Sequence, residues 1–217
     1  MTTSPTRPGW TPQQIAARIA ADIPDGSYVN LGIGRPTEVA NALPADREIL
    51  LHSENGILGM GPAPAAGDED WDLINAGKQP VTLLTGGSYF HHTDSFMIMR
   101  GGHLDVSVLG AFEVAVNGDL ANWSTGNMSR LPGVGGAMDL AVGAKSVYVS
   151  MTHNSPTGVS KLVETCSYPL TATNVVDRVY TELGVFSVDG AEFTVLDLAP
   201  GVTFEHVRSV TDAPLCS

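Results

Sequence analysis

Short runs of apolar and β-branched residues alternate with short amphipathic segments along most of the chain. The runs predicted as strands cover residues 27–31, 49–52, 81–84, 105–109 and 146–151. The segments predicted as helices between them cover residues 36–43, 93–100 and 137–142. Because strands that alternate with helices usually pair in parallel, this order predicts an α/β fold with an open, mostly parallel sheet flanked by helices. Ligands bind at the carboxyl ends of the strands in such sheets, so we expect functional residues directly after predicted strands.

Both ends of this pattern carry local signals. Thr11 and Gln14 have the spacing of a capping box, and three isoleucines at i+4 spacing follow on one face of a predicted first helix. Near the C-terminus, Asp189-Gly190 separates two apolar runs, 179–188 and 193–198. Asp-Gly between such runs is a strong hairpin signal, so we expect an antiparallel hairpin at the C-terminal end of the sheet.

The length of 217 residues fits one sizeable domain. We therefore predict a flexible N-terminal arm over residues 1–10 and a single domain over residues 11–217. No secretory signal and no apolar run long enough to span a bilayer is present in the sequence. Cys166 and Cys216 form no spaced motif, so we expect reduced thiols in a cytoplasmic protein.

The charge of the chain restricts its partners. Eleven basic and 23 acidic residues give a formal net charge of −12, which argues against nucleic acid or an anionic membrane as the main partner. Charged residues make up only 16% of the chain, whereas the hydrophobic fraction is an ordinary 43%. A deficit of charge with ordinary hydrophobicity is typical of a surface that is partly buried against another chain, so we expect an oligomer.

Several common ligand-binding motifs are incomplete. The Gly-x-Gly turns lack the third glycine of a dinucleotide fingerprint, because Thr37, Pro64 and Met138 stand at that position. Gly77-Lys78 lacks the other residues of a phosphate-binding P-loop. The pair His91-His92 lacks the spacing of a helical zinc site. We therefore expect no metal and no permanently bound cofactor.

Glu54 stands just after the predicted strand 49–52, in the segment His52-Ser53-Glu54-Asn55-Gly56. A carboxylate here has two interpretations. It can stabilise the N-terminus of a following helix through the helix dipole, or it can be a catalytic group. The position alone favours the first interpretation.

The residues around Glu54 nevertheless resemble a known signature. Ser53-Glu54-Asn55-Gly56, followed by Leu58-Gly59-Met60-Gly61-Pro62, is similar to the active-site signature of the family I coenzyme A transferases, in particular their B subunits. Further blocks resemble that family in the family's order and cover residues 28–34, 74–78, 100–105 and 134–140. The resemblance runs from about residue 11 to residue 198. Within the family, residues 83–96 and 160–171 look most like the members that use 3-oxoadipate, and less like those that use acetoacetate.

The resemblance implies the family's fold and a role for each of five residues. Glu54 is the implied nucleophile, Asn30 and the backbone of Gly135 and Gly136 hold the reacting carbonyl, and Lys78 contacts coenzyme A. Coenzyme A enters as a thioester substrate, and the reactants are succinyl-CoA and a 3-oxo acid. The implied partner is the A subunit of the transferase, in a heterodimer or heterotetramer. A glutamate with an ordinary pKa of about 4.3 is ionised at neutral pH and can attack a thioester without a general base.

Other interpretations of these residues stay open. Asn30 can bond its own turn, the glycines near residue 135 can form a plain strand-to-helix connection, and Lys78 can be a solvated loop residue. Two other functions also remain. One is a hydrolase of CoA thioesters on the same scaffold, and the other is a sensing domain whose glycine turns hold phosphate.

Two residues depart from the family pattern. Arg35 stands in a Gly-Ile-Gly-x-Pro-Thr turn where relatives usually carry an uncharged residue, and Pro156 replaces a commonly basic position. A guanidinium can pair with the second carboxylate of a dicarboxylic acceptor, or it can be a surface charge. For Arg35 we favour the surface charge.

Overall fold

The computed structural model describes residues 9–126 and 133–217. Within this part of the chain, helices are interspersed among the strands as far as β8, and the C-terminal third is mostly strand. The helices are α1 Pro12–Asp22, α2 His92–Arg100, α3 Ala137–Gly143 and α4 Phe204–Ser209, with a 3₁₀ helix at Arg35–Ala42. The strands are β1 Tyr28–Leu31, β2 Leu50–Ser53, β3 Ile57–Met60, β4 Leu83–Tyr89, β5 Val106–Leu109, β6 Glu113–Ala115, β7 Leu120–Ala121, β8 Ser146–Ser150, β9 Leu162–Val163, β10 Val176–Tyr180, β11 Gly184–Val188, β12 Phe193–Leu198 and β13 Leu215–Cys216.

One large sheet runs through the described part of the chain in the order β13-β12-β11-β10-β8-β5-β1-β2-β3-β4. Its central strands, from β10 to β2, pair in parallel. Antiparallel pairs flank them, with β3 and β4 on one side and β11 and β12 on the other. A small second sheet has the order β7-β6-β9. The predicted α/β fold, with an open, mostly parallel sheet and a C-terminal antiparallel hairpin, is confirmed.

The central strands are covered on both faces. Val108 of β5 and Tyr148 of β8 belong to a core cluster that includes α1, whereas their neighbours Leu109 and Val149 belong to a cluster that includes α2 and α3. Successive side chains of a strand point to opposite faces, so the two clusters lie on opposite sides of the sheet. The carboxyl ends of the strands are thereby left as the edge at which a ligand can enter.

The predicted capping box of α1 is confirmed. Thr11 Oγ1 accepts a hydrogen bond from the Gln14 N–H at 3.3 Å, and Gln14 Oε1 accepts one from the Thr11 N–H at 2.8 Å. Of the predicted N-terminal arm, residues 1–8 lie outside the described residues. Trp10 packs against both core clusters, and its N–H donates to the carbonyl of Glu182 at 2.8 Å. None of the described helices is long and apolar enough to cross a membrane.

The strand predicted over residues 179–188 is divided in two. The chain reverses between β10 and β11, where Thr181 Oγ1 accepts hydrogen bonds from the N–H groups of Leu183 and Gly184. This side-chain turn competes with continued strand pairing, as serine and threonine turns do. An apolar run conceals such a turn because all of its residues are compatible with a strand.

Two smaller differences concern single elements. The helix predicted over residues 36–43 is a 3₁₀ helix, which begins where Thr37 bonds the carbonyl of Gly34 through both its N–H and its hydroxyl. The strand predicted over residues 81–84 begins at Leu83 and forms the antiparallel edge of the large sheet.

Candidate active site

Glu54 lies in the turn that connects β2 to β3. The turn spans three residues, with Ser53 paired to Ile57, and the Gly56 N–H donates to the carbonyl of Ser53 at 2.9 Å. Gly56 has a φ of +111° and packs against the carbonyl of Phe90, so a side chain at this position would be both strained and obstructed. The interpretation of Glu54 as a helix N-terminal carboxylate is therefore wrong. The chain turns back at Asn55-Gly56 into an antiparallel strand.

The Glu54 side chain reaches across to the turn that precedes α3. A β-carbon on Gly136 would overlap with Glu54 Oε2 and would lie 3.3 Å from Phe96 Cζ. The preceding residue, Gly135, has a φ of +57°, a conformation that glycine adopts readily. Two glycines at this point thus allow the carboxylate of Glu54 to approach the backbone directly.

The electrostatic environment of Glu54 combines burial with charges of both signs. Burial raises the pKa of the Glu54 carboxyl above its ordinary value, the negative charge of Asp139 raises it further, and the charge of His92 lowers it. Asp139 accepts a hydrogen bond from Arg100 Nε at 2.6 Å. His92 itself packs against Phe96, with 4.8 Å between ring centroids. Glu54 is thus a partly desolvated carboxylate rather than a solvated surface charge.

A buried chain of hydrogen bonds lies beside the turn that holds Glu54. Asn30 Nδ2 donates to the carbonyl of His52 at 3.1 Å and is 3.0 Å from His52 Nδ1, and His52 Nε2 is 2.9 Å from Ser95 Oγ. Because an amide nitrogen can only donate, Nδ1 is the acceptor and Nε2 carries the ring hydrogen. Burial lowers the pKa of His52 to about 4, so the imidazole is neutral at physiological pH.

This arrangement bears on the role predicted for Asn30. Both hydrogens of its Nδ2 are directed at His52, so its carbonyl oxygen is the amide atom left for a ligand. A donor to a developing oxyanion is then more readily supplied by the backbone at Gly135 and Gly136. That Asn30 holds the reacting carbonyl stays a prediction.

A cavity of about 540 Å³ brings most of the predicted residues together. Asn30, Glu54, Gly135 and Gly136 all line it. Large apolar side chains form much of its remaining wall, namely Leu109, Phe112, Trp123, Leu140 and Met151. This wall, rather than the residues that follow Glu54 in β3, provides the apolar surroundings, because Ile57 and Met60 are buried in the core.

Lys78 is placed differently from the other predicted residues. It is exposed, has a φ of +63° in the turn between Asn75 and Gln79, and is not part of the cavity wall. Ala76 of the same turn does line the cavity, and its N–H donates to Ser53 Oγ at 3.0 Å. The contact of Lys78 with coenzyme A stays a prediction.

Four residues of this region have no functional role in the sequence analysis. His92 acts on the charge of Glu54, His52 and Ser95 hold Asn30, and Lys161 lines the cavity. The spacing of His91 and His92 bears only on a metal site. In the structure His91 caps α2, where its Nδ1 accepts a hydrogen bond from the Thr93 N–H at 3.1 Å. Helix α2 therefore begins at His92, beside Glu54.

The chain is similar to known proteins over almost its whole length. Residues 13–209 match the family model described as Coenzyme A transferase. The chain is 58% identical over 202 residues to the B subunit of the 3-oxoadipate CoA-transferase of Pseudomonas putida, covering 93% of this chain and 94% of that protein. It is 49% identical over 202 residues to the B subunit of the probable succinyl-CoA:3-ketoacid coenzyme A transferase of Bacillus subtilis, covering 93% of each.

A solved structure supports the fold. The apoenzyme of the acyl-CoA transferase YdiF from Escherichia coli O157:H7 superposes with a TM-score of 0.74 at 19% identity. The match covers the whole of this chain but only 43% of that protein. The fold of this chain thus corresponds to less than half of that longer transferase.

Proposed function

The chain belongs to the coenzyme A transferase family, and we propose that it is the B subunit of a two-subunit enzyme that moves CoA from succinyl-CoA to 3-oxoadipate. The observation that carries the proposal is the position of Glu54. Its partly buried carboxylate lies against Gly136 in a largely apolar cavity, in a chain 58% identical to the B subunit of a 3-oxoadipate CoA-transferase.

The proposed reaction proceeds through covalent intermediates on Glu54. A carboxylate oxygen of Glu54 attacks the thioester carbonyl of succinyl-CoA, which forms a succinyl-glutamyl anhydride and releases the CoA thiolate. The thiolate then attacks the glutamyl carbonyl, which forms a glutamyl-CoA thioester and releases succinate. The acceptor carboxylate runs the same two steps in reverse, so that acyl-CoA leaves and the Glu54 carboxylate is restored. No redox step and no net proton transfer is required.

Each attack places negative charge on a carbonyl oxygen. The backbone of Gly135 and Gly136 borders the Glu54 carboxylate, so its N–H groups are the nearest candidates to stabilise that charge. One preorganised donor of this kind typically contributes about 3 to 4 kcal/mol to transition-state stabilisation. The glycines therefore serve two needs, since they admit the carboxylate closely and expose backbone donors to it.

Water must be kept from the anhydride and the thioester. The apolar wall of the cavity supports this exclusion, but one side of the cavity reaches the surface, where Ile33 is 69% exposed. A second polypeptide that covers this opening would complete the enclosure. The relatives are named as B subunits, and the chain matches less than half of the longer YdiF transferase. Both observations support a complementary A subunit as the partner.

Two related functions are separated from this one by measurement. The 49% identity to a probable succinyl-CoA:3-ketoacid coenzyme A transferase subunit supports a 3-oxo acid other than 3-oxoadipate, such as acetoacetate, as the alternative acceptor. Acceptor kinetics with 3-oxoadipate and acetoacetate distinguish the two. A thioester hydrolase would release free CoA from succinyl-CoA in the absence of any acceptor acid. A transferase releases at most one equivalent under those conditions.

Borohydride trapping tests the mechanism directly. The complex of this chain with its partner subunit is incubated with succinyl-CoA and then reduced, which converts a glutamyl thioester to an alcohol. Peptide mapping is expected to find the modification on the fragment that contains Glu54 and to find none in Glu54→Ala. An unmodified Glu54 in a preparation that turns over would disprove the mechanism.

A further inference from the structure

Among the residues that the structure describes, two cationic side chains line the cavity that contains Glu54. Arg35 approaches it from the start of the 3₁₀ helix, and Lys161 from the segment that leads into β9. Lys161 is partly buried, and its backbone N–H donates to the carbonyl of His153 at 3.0 Å. The two residues are remote in sequence, and the fold brings both to the same cavity.

Neither cation has an anionic partner among the residues that the structure describes. The four ion pairs found there use Arg18, Arg100, Lys145 and Arg178. Glu182 is the acidic group that acts on Lys161 through its charge, but it lies beyond ion-pair distance, and its Oε2 accepts a hydrogen bond from the His153 N–H at 3.0 Å. Lys161 therefore carries a charge that the described part of the protein compensates only in part, through the more distant Glu182.

Such a charge is unfavourable without a ligand. Burial and the like charge of Arg35 lower the pKa of Lys161 to about 8, whereas Glu182 raises it. Only 11 basic residues occur in a chain of net charge −12, so the chain has no general excess of cations that would place two of them at one cavity. An anion that binds between them would relieve the repulsion and compensate for the desolvation of the lysine.

We propose that Arg35 and Lys161 form a subsite for the non-reacting carboxylate of a dicarboxylic acid whose other carboxyl group meets Glu54. The proposal rests on the proposed function, because succinate and 3-oxoadipate both carry a second carboxylate and acetoacetate carries none. Guanidinium binds carboxylate bidentately, and the flexible stem of a lysine can follow a carboxylate to different depths. One subsite therefore serves both acids in turn, although their chains differ in length.

Equilibrium binding tests the subsite independently of turnover. The complex with the partner subunit is titrated calorimetrically with succinate and with its monoamide, succinamate, which has nearly the same shape but lacks one carboxylate. We expect the wild-type complex to bind succinate at least tenfold more tightly than succinamate. In Lys161→Met and Arg35→Gln the affinity for succinate falls by at least tenfold, and the affinity for succinamate changes less than twofold.

Arg208→Gln is the matched control, because Arg208 is an exposed cation on α4 and is not part of the cavity wall. It removes the same charge and is expected to leave both affinities unchanged. Thermal unfolding of each variant verifies that it folds, and the two cavity variants test the subsite separately.

Three results would overturn the proposal. The first is equal affinity of the wild type for succinate and succinamate, and the second is an equal loss of both affinities in the variants. The third comes from a parallel titration of the same variants with desulfo-CoA: a loss of affinity confined to that ligand would assign the cations to the CoA phosphates. None of these depends on whether Glu54 becomes modified, so failure of the subsite and failure of the proposed reaction are distinguishable.

Discussion

Glu54 and Gly136 face each other so closely that residue 136 can carry no side chain without displacing the carboxylate. Gly136 has a φ of −82°, which any residue adopts, so the requirement for glycine comes from the approach of Glu54 and not from the backbone. A side chain at residue 136 would therefore displace the Glu54 carboxylate without straining the backbone of the turn.

Gly136→Ala is therefore expected to reduce turnover strongly while leaving the fold intact. If Glu54 is the nucleophile and the backbone of Gly135 and Gly136 donates to the oxyanion, as proposed, displacing the Glu54 carboxylate from that backbone should lower kcat/KM by about 100-fold or more. Gly133→Ala is the control, because a β-carbon at this position, just before the turn, has no atom of the described residues within 4 Å. Steady-state kinetics and thermal unfolding of both variants check the prediction, which is wrong if the two variants are equally active.

The raised pKa of Glu54 predicts the acid limb of the pH profile. In the proposed reaction the ionised carboxylate is the nucleophile, so kcat/KM should fall as the pH drops through the pKa of Glu54, which lies above that of an ordinary glutamate. Asp139→Asn removes a negative charge that raises this pKa and should move the limb to lower pH. Asp212→Asn, an exposed acid near the C-terminus, should leave it in place. If the acid limb does not move in Asp139→Asn, it does not report the ionisation of Glu54.

Ser95 and Ser107 form a matched pair of buried serines, because each is 0% exposed. Ser95 Oγ bonds His52 Nε2 at 2.9 Å, whereas Ser107 Oγ has no hydrogen-bond partner among the described residues. Ser95→Ala leaves a buried imidazole N–H unpaired and should lower the free energy of unfolding by about 1 to 3 kcal/mol. Ser107→Ala should be neutral or slightly stabilising. Urea denaturation measures both, and a comparable loss in the two variants would contradict the prediction.

His52 adds a pH dependence to the same network. Its folded pKa of about 4 lies below the ordinary value of 6.5, so the unfolded chain takes up this proton first as the pH falls. The free energy of unfolding therefore falls as the pH drops from 6.5 towards 4, and His52 has no such effect above pH 6.5. His153, whose pKa burial also lowers to about 4, acts in the same direction. Replacing His52 with leucine should reduce the slope of stability against pH between 4 and 6.5, and a steeper slope would contradict this account.

Local patterns predicted much of the fold. The capping box of Thr11 and Gln14 and the order of strands and helices depend on residues close in sequence, and the structure confirms them. The turn at Glu54 is also local, because Asn55-Gly56 is a hairpin signal. The preceding parallel strand favoured a helix after it, and this expectation obscured the hairpin.

The set of residues that line the cavity could not be predicted from local sequence patterns. Asn30, Glu54 and Gly136 were grouped by a family resemblance, not by any pattern that predicts that their side chains meet. Arg35 follows β1 of the large sheet and Lys161 leads into β9 of the small sheet, yet both line the cavity. Their proximity depends on how the two sheets are placed in the fold, so the pair of cations could be found only in the structure.

The position of Lys161 predicts that its charge lowers the stability of the free protein and favours binding of the anionic ligand. At pH 7 the folded protein holds this lysine charged, partly buried and close to Arg35, with Glu182 offsetting part of the repulsion. Replacing a poorly compensated charge with a long apolar side chain is often stabilising, so Lys161→Met should raise the free energy of unfolding by about 1 kcal/mol. Arg208→Gln, measured alongside it, should change stability little.

The pH dependence of this gain identifies its cause. The folded pKa of about 8 lies below the ordinary value of 10.5, so the wild type loses its unfavourable charge as the pH rises through 8 while the unfolded chain keeps its proton. The advantage of Lys161→Met should therefore be largest at pH 7 and shrink towards pH 10. Adding succinate at pH 7 should diminish or reverse this advantage, because the ligand binds the wild type more tightly and therefore stabilises it more than Lys161→Met. A variant that is less stable than the wild type without ligand would show that Lys161 supports the fold rather than the cavity.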